Sequence, residues 1–151
     1  MKRTNWRRVV ASGALWTLVY NFVWGVAWFV FMRKEWEDAV AAIGRRSPWT
    51  AEVWFLWVVL TVPMGVAIMA YASSRARAIY TAAVSAAGAV WLLLTLPMGA
   101  YSLSQSLSPR VIVWDSFVNL VGMLAASLAG AWSQREVVQA GNVDLNSSDD
   151  R

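Results

Sequence analysis

Four stretches of this chain carry almost no charge. Residues 9–32 and 79–101 contain no Asp, Glu, Lys or Arg, residues 50–72 contain only Glu52, and residues 111–132 only Asp115. A helix rises about 1.5 Å per residue, so each run is long enough to cross a hydrocarbon core of about 30 Å. Charge occupies 15% of the chain, where a soluble domain carries nearer a quarter. The expected fold is therefore all-α: a four-helix transmembrane bundle forming one domain over residues 1–134. Its spans are expected at about 9–32, 50–72, 79–101 and 111–132. The end of the chain, GNVDLNSSDDR, lacks apolar periodicity, so 135–151 is expected to be a disordered polar tail.

The basic start MKRTNWRRVV invites comparison with a cleaved signal peptide. Signal cores run about 7–15 apolar residues. The first run is longer and ends at Arg33-Lys34, which marks a retained span. With four spans, both termini and the 73–77 loop share one side. That side carries Lys2, Arg3, Arg7, Arg8, Arg75, Arg77 and Arg135, against Arg33, Lys34, Arg45, Arg46 and Arg110 opposite. The excess of basic residues points the termini to the cytoplasm.

Several chemistries lose their parts. The chain has no cysteine and no histidine, which removes disulfides, thiolate nucleophiles, imidazole proton transfer and the usual zinc ligands. No paired acids stand in register, so the expectation is no enzyme, no metal and no cofactor. The net charge of +4 arises from basic residues at span ends, where lipid headgroups satisfy them, so nucleic acid is not an expected partner. The bilayer is the expected partner. A second copy of the chain or another membrane protein stays open.

The longest connection, RKEWEDAVAAIGRRSPW, places Trp36, Ala39 or Val40, and Ile43 at helical spacing, with Gly44 as a stop. A short interfacial helix between spans one and two fits that pattern, as does a loop anchored by one Trp. Ser47-Pro48 and Ser108-Pro109 have the form of an N-cap followed by Pro at the first helical position, starting spans two and four.

Residues 57–65, WVVLTVPMG, return as WLLLTLPMG at 91–99, 34 positions on. Pro63 is ten residues from the 73–77 loop and Pro97 twenty, so the prolines lie at different depths. Paired broken helices at one midplane level, the transporter arrangement, are not formed this way. Each proline removes a backbone donor and crowds the carbonyl four residues earlier, Val59 or Leu93. The repeat is read as two helix bends, Pro63 kinking span two and Pro97 loosening the end of span three.

Eleven tryptophans stand out. Trp6, Trp36, Trp49, Trp54, Trp114 and Trp132 lie near span ends, where an amphipathic indole favours the interface. Trp16, Tyr20, Trp24, Trp28 and Phe31 form an aromatic ridge along span one, read as packing, with Trp24 and Trp28 as the ligand-facing alternative. Beside it, Gly13, Thr17, Asn21 and Gly25 make a small polar stripe. Asp115, Asn119, Gly122, Ala126 and Gly130 make another on span four. Asn21 is thirteen residues from Arg8 and Asn119 thirteen from Trp132, each about 20 Å deep. The expectation is that Asn21 and Asn119 meet on packed antiparallel spans one and four, forming a polar seam with Thr17 and Asp115. Asp115 has to face protein, water or a basic partner such as Arg110, because an ionised carboxylate in lipid is costly.

Asn5-Trp6, then Gly25-Val-Ala-Trp28-Phe29, Trp36 and Gly44, and a last span running from Asn119-Leu-Val-Gly122 to Gly130-Ala-Trp132 together resemble an uncharacterised bacterial family of small four-span integral membrane proteins, a domain of unknown function. That family usually has Tyr where this chain has Phe29, and the likeness covers the two ends of the chain. The resemblance implies a bacterial inner membrane and no particular chemistry. The expected function is that of a structural or accessory membrane protein acting through helix–helix contacts. The alternative is a small-molecule, cation or proton transporter with Asp115 in an intramembrane polar seam.

Overall fold

A computed structural model gives the fold of residues 5–47, 49–75 and 78–148, with side chains described through residue 135. Lys2, Arg3, Pro48 and Arg77 lie outside the described residues. Among those described there is no strand. The elements are α1 (Trp6–Ala27), a π-helical turn (Trp28–Met32), α2 (Arg33–Ala42), α3 (Ala51–Ser74), α4 (Ile79–Ser104) and α5 (Pro109–Ser148). Four helical stretches, Trp6–Ala42, Ala51–Ser74, Ile79–Ser104 and Pro109–Arg135, are long and apolar enough to cross a membrane. Their outer faces agree: Phe22 and Phe55 are 72% exposed and Leu93 73%. Apolar surface of that extent is stable when lipid replaces water around it.

The helix ends follow local chemistry. Asn5 caps α1 by accepting from the Arg8 N–H. Gly44 has φ +70°, Gly44 N–H reaches Ala41 O at 2.9 Å, and Arg45 N–H reaches Val40 O at 3.1 Å. These paired bonds are the Schellman closure, and they end α2 at the expected glycine. Ser106, at φ 62°, ends α4 in the same way through Leu107 N–H to Ser102 O. Span four begins as expected, with Pro109 the first helical residue and Ser108 O accepting from Val111 and Ile112. Span two does not begin at Ser47-Pro48. Thr50 caps α3 by accepting from Val53 N–H, because the hydroxyl nearest the first helical turn is the one able to reach its free amides.

The helix after span one is present but is not a separate element. It continues from α1 through the π turn, where Arg33 N–H bonds to Trp28 O, five residues back. In an α-helix, side chains four apart drift round the axis by about 40°. One wider turn cancels that drift and keeps Trp24, Trp28, Met32 and Trp36 on the inner side. At the other end the α5 backbone runs on to Ser148, and the expected polar tail, 135–151, falls almost wholly beyond the residues whose side chains are described.

Pro63 and Pro97 both lie inside unbroken helices, and α4 runs on seven residues beyond Pro97 to Ser104. One lost backbone bond does not end a helix that lipid obliges to keep the others.

Helix α1 packs between α3 and α5, and α4 packs between the same two on the far side, so α1 and α4 stand diagonally. Antiparallel pairing of α1 and α5 is fixed by a ladder. Ser12 Oγ accepts from Gln134 Nε2 at 2.6 Å, Trp16 Nε1 donates to Ser127 Oγ at 2.9 Å, and Tyr20 OH donates to Asn119 Oδ1. Around Ser12, Met69 and Gln134 the bundle is tight. A Cβ on Gly130 would lie 2.5 Å from Met69 Sδ. Towards α2 the bundle encloses a space between its helices.

A tryptophan-walled cavity around Asp115

The gap between the diagonal helices is a cavity of about 200 Å³. Tyr20 and Trp24 come from α1, Trp36 from α2, Trp49 from the following loop, Trp57 from α3 and Trp91 from α4. Helix α5 supplies Asp115, Ser116 and Asn119, while Thr95, Met98 and Gly99 complete the α4 wall. One indole thus arrives from each other helix and from the loop, and the only acid among the lining residues arrives from α5.

The indoles hold one another. Trp24 stacks on Trp28 with ring centroids 5.4 Å apart, and Trp54 meets the Trp24 ring edge-on at 4.7 Å. Trp49 contacts Trp24, Trp28, Trp54 and Trp57. The indole N–H groups of Trp36, Trp49 and Trp57 are buried without an oxygen partner, while that of Trp24 lies towards the Asp115 carboxylate. In tilted and edge-to-face pairs, such N–H groups can be turned onto neighbouring π faces. The Trp91 N–H instead ties α4 to α5 by bonding to Ser116 O at 2.9 Å.

This corrects the expected interfacial belt. Trp6, Trp114 and Trp132 are exposed by half or more, as belt residues are. Trp36, Trp49 and Trp54 turn inward and join the buried Trp24 and Trp28. A position near a span end does not say which way the ring points. The cluster becomes visible only once the π turn and the 43–50 connection fold over the end of the bundle.

The seam is corrected as well. Asn21 does not meet Asn119. Its Nδ2 donates to Thr61 Oγ1 at 2.9 Å and Thr17 O at 2.8 Å, on the α3 side. Thr17 Oγ1 likewise reaches Thr61 O at 3.2 Å. Gly13, Thr17 and Asn21 therefore face α3, while Trp16 and Tyr20 face α5 and fit its small-residue stripe. Trp24 and Trp28 pack on Trp49 and Trp54, and Phe31, expected in the ridge, is 73% exposed. A Cβ on Gly122 would lie 3.2 Å from the Tyr20 ring. Bulky rings need a groove, and the run from Asn119 to Gly130 provides it. Of the residues expected in the seam, Asp115 and Asn119 do line one space, linked by Asn119 Nδ2 to Asp115 O at 2.9 Å.

Nor does Arg110 pair with Asp115. Its guanidinium binds Glu35 of α2 at 3.2 Å, with both side chains well exposed. No salt bridge among the described residues reaches Asp115. The repeat is not a duplicated site, since its prolines do not meet there. Yet its two leading tryptophans, Trp57 and Trp91, both line the cavity.

No family model, curated protein or solved structure matches this chain. Among the described residues, no group of three potential metal-binding side chains occurs.

Proposed function

We propose that this chain is a multi-pass protein of the bacterial inner membrane, with both termini cytoplasmic, that binds and carries a small cation at Asp115. The membrane assignment rests on the four apolar helices, and its finer terms on the basic residues near the termini and on the resemblance of the chain ends. One observation carries the function. A carboxylate without an ion-pair partner among the described residues lines a cavity walled by every helix of the bundle and by Trp49. Intramembrane acids facing a cavity favour a cation or a proton, because lipid offers no other compensation for their charge. A purely accessory role, with the helices serving only as contact surfaces, predicts instead that this space is dry.

Cysteine accessibility distinguishes the two, since the chain contains no native cysteine. Ser116→Cys and Asn119→Cys, both on the cavity wall, should react with a cationic water-soluble methanethiosulfonate. They should react faster with it than with an anionic one, and Asp115→Asn should remove that preference. Val113→Cys, on the lipid-facing side at 66% exposure, should stay unlabelled. Equal inertness at all three positions would rule out a hydrated cation site and leave the accessory role.

A further inference from the structure

We propose that the cation held beside Asp115 is an alkylated ammonium, recognised by the surrounding indoles, and not a metal ion. The inference rests on the reading of Asp115 as the charged group of a cation site, and adds the class of cation.

Three features favour an organic cation. The first is donor chemistry. Hard metal ions take six or more oxygen ligands. Here a single carboxylate faces walls that are mainly aromatic and aliphatic, with only a few hydroxyl and amide groups. The Asn119 side chain is already engaged on both sides, accepting from Tyr20 and donating to Asp115 O. A quaternary ammonium needs no lone-pair ligands, only a counter-charge and polarisable surface.

The second is the wall itself. Indole faces attract cations through the ring quadrupole, most strongly when water is excluded, and aromatic cages are the recurrent answer to methylated ammonium groups. Trp24, Trp36, Trp49, Trp57 and Trp91 come from five different segments and enclose the space that Asp115 enters from α5. Stacked, tilted and edge-to-face contacts hold Trp24 and Trp49 in place before any ligand arrives, so little side-chain entropy is lost on binding.

The third is size. An apolar cavity of about 150 Å³ takes up benzene. One of about 200 Å³ accommodates a trimethylammonium head with a short arm, and Thr95 lines it from the adjacent α4.

The test is calorimetric titration of the purified full-length protein in detergent with choline, with its uncharged isostere 3,3-dimethylbutanol, and with sodium and potassium chloride at matched ionic strength. Saturable choline binding is expected, about tenfold or more tighter than the isostere, and lost in Asp115→Asn. Protein grown with fluorinated tryptophan keeps its packing but has a weaker ring quadrupole. It should lose choline affinity while the isostere is unaffected, and this arm stands even if Asp115→Asn does not fold. Asp115-dependent binding of sodium or potassium with no choline binding would overturn the ammonium class and leave the cation site intact. Equal binding of choline and its isostere, or no Asp115-dependent signal from any probe, would overturn both.

Discussion

The Cβ that Gly65 lacks would sit 2.7 Å from the carbonyl oxygen of Gly13. The converse also holds, since a Cβ on Gly13 would lie 2.7 Å from Val66 Cα. Helices α1 and α3 therefore cross with backbones nearly touching, as small residues permit in membranes. This close crossing brings Thr61 within reach of Thr17 and Asn21.

Gly65→Ala should destabilise the protein by roughly 1–3 kcal/mol, because the obstacle is backbone and cannot rotate away. Gly88→Ala, with nothing within 4 Å of the added methyl, should be neutral or slightly stabilising through helix propensity. Thermal unfolding of the two variants in the same detergent checks the contrast.

The Trp16–Ser127 hydrogen bond is buried between α1 and α5. A double-mutant cycle of Trp16→Phe and Ser127→Ala should return a coupling of about 0.6 kcal/mol, the usual scale for one interhelical bond in a membrane bundle. Coupling near zero would mean that the two side chains do not share a bond.

The pair Asn21→Cys and Thr61→Cys should cross-link under mild oxidation, since the native side chains are 2.9 Å apart. Asn21→Cys with Asn119→Cys should not, the two residues facing different helices. Mobility on a non-reducing gel reads both, free of background from native thiols.

Glu35 and Arg110 join α2 to the start of α5 across exposed surface. Their coupling should be below about 1 kcal/mol and should shrink as salt is added. A large, salt-insensitive coupling would place that pair in a far drier setting than its exposure indicates.

The number of helices long and apolar enough to cross a membrane, the stop at Gly44 and the Ser108-Pro109 start can all be read along the chain, because charge and capping act within a few residues. Asp115 was marked for the same reason, as one of only two acids in the four apolar runs. What surrounds it was not legible. Neighbouring residues on a helix point about 100° apart. Depth alone therefore cannot say whether Tyr20 or Asn21 turns towards α5, and the bundle chose Tyr20, because its ring fits the groove over Gly122. The indole wall depends on tertiary structure for a different reason. Trp24, Trp36, Trp49, Trp57 and Trp91 belong to five segments, and only the π turn and the connection folded across the bundle end bring their rings together.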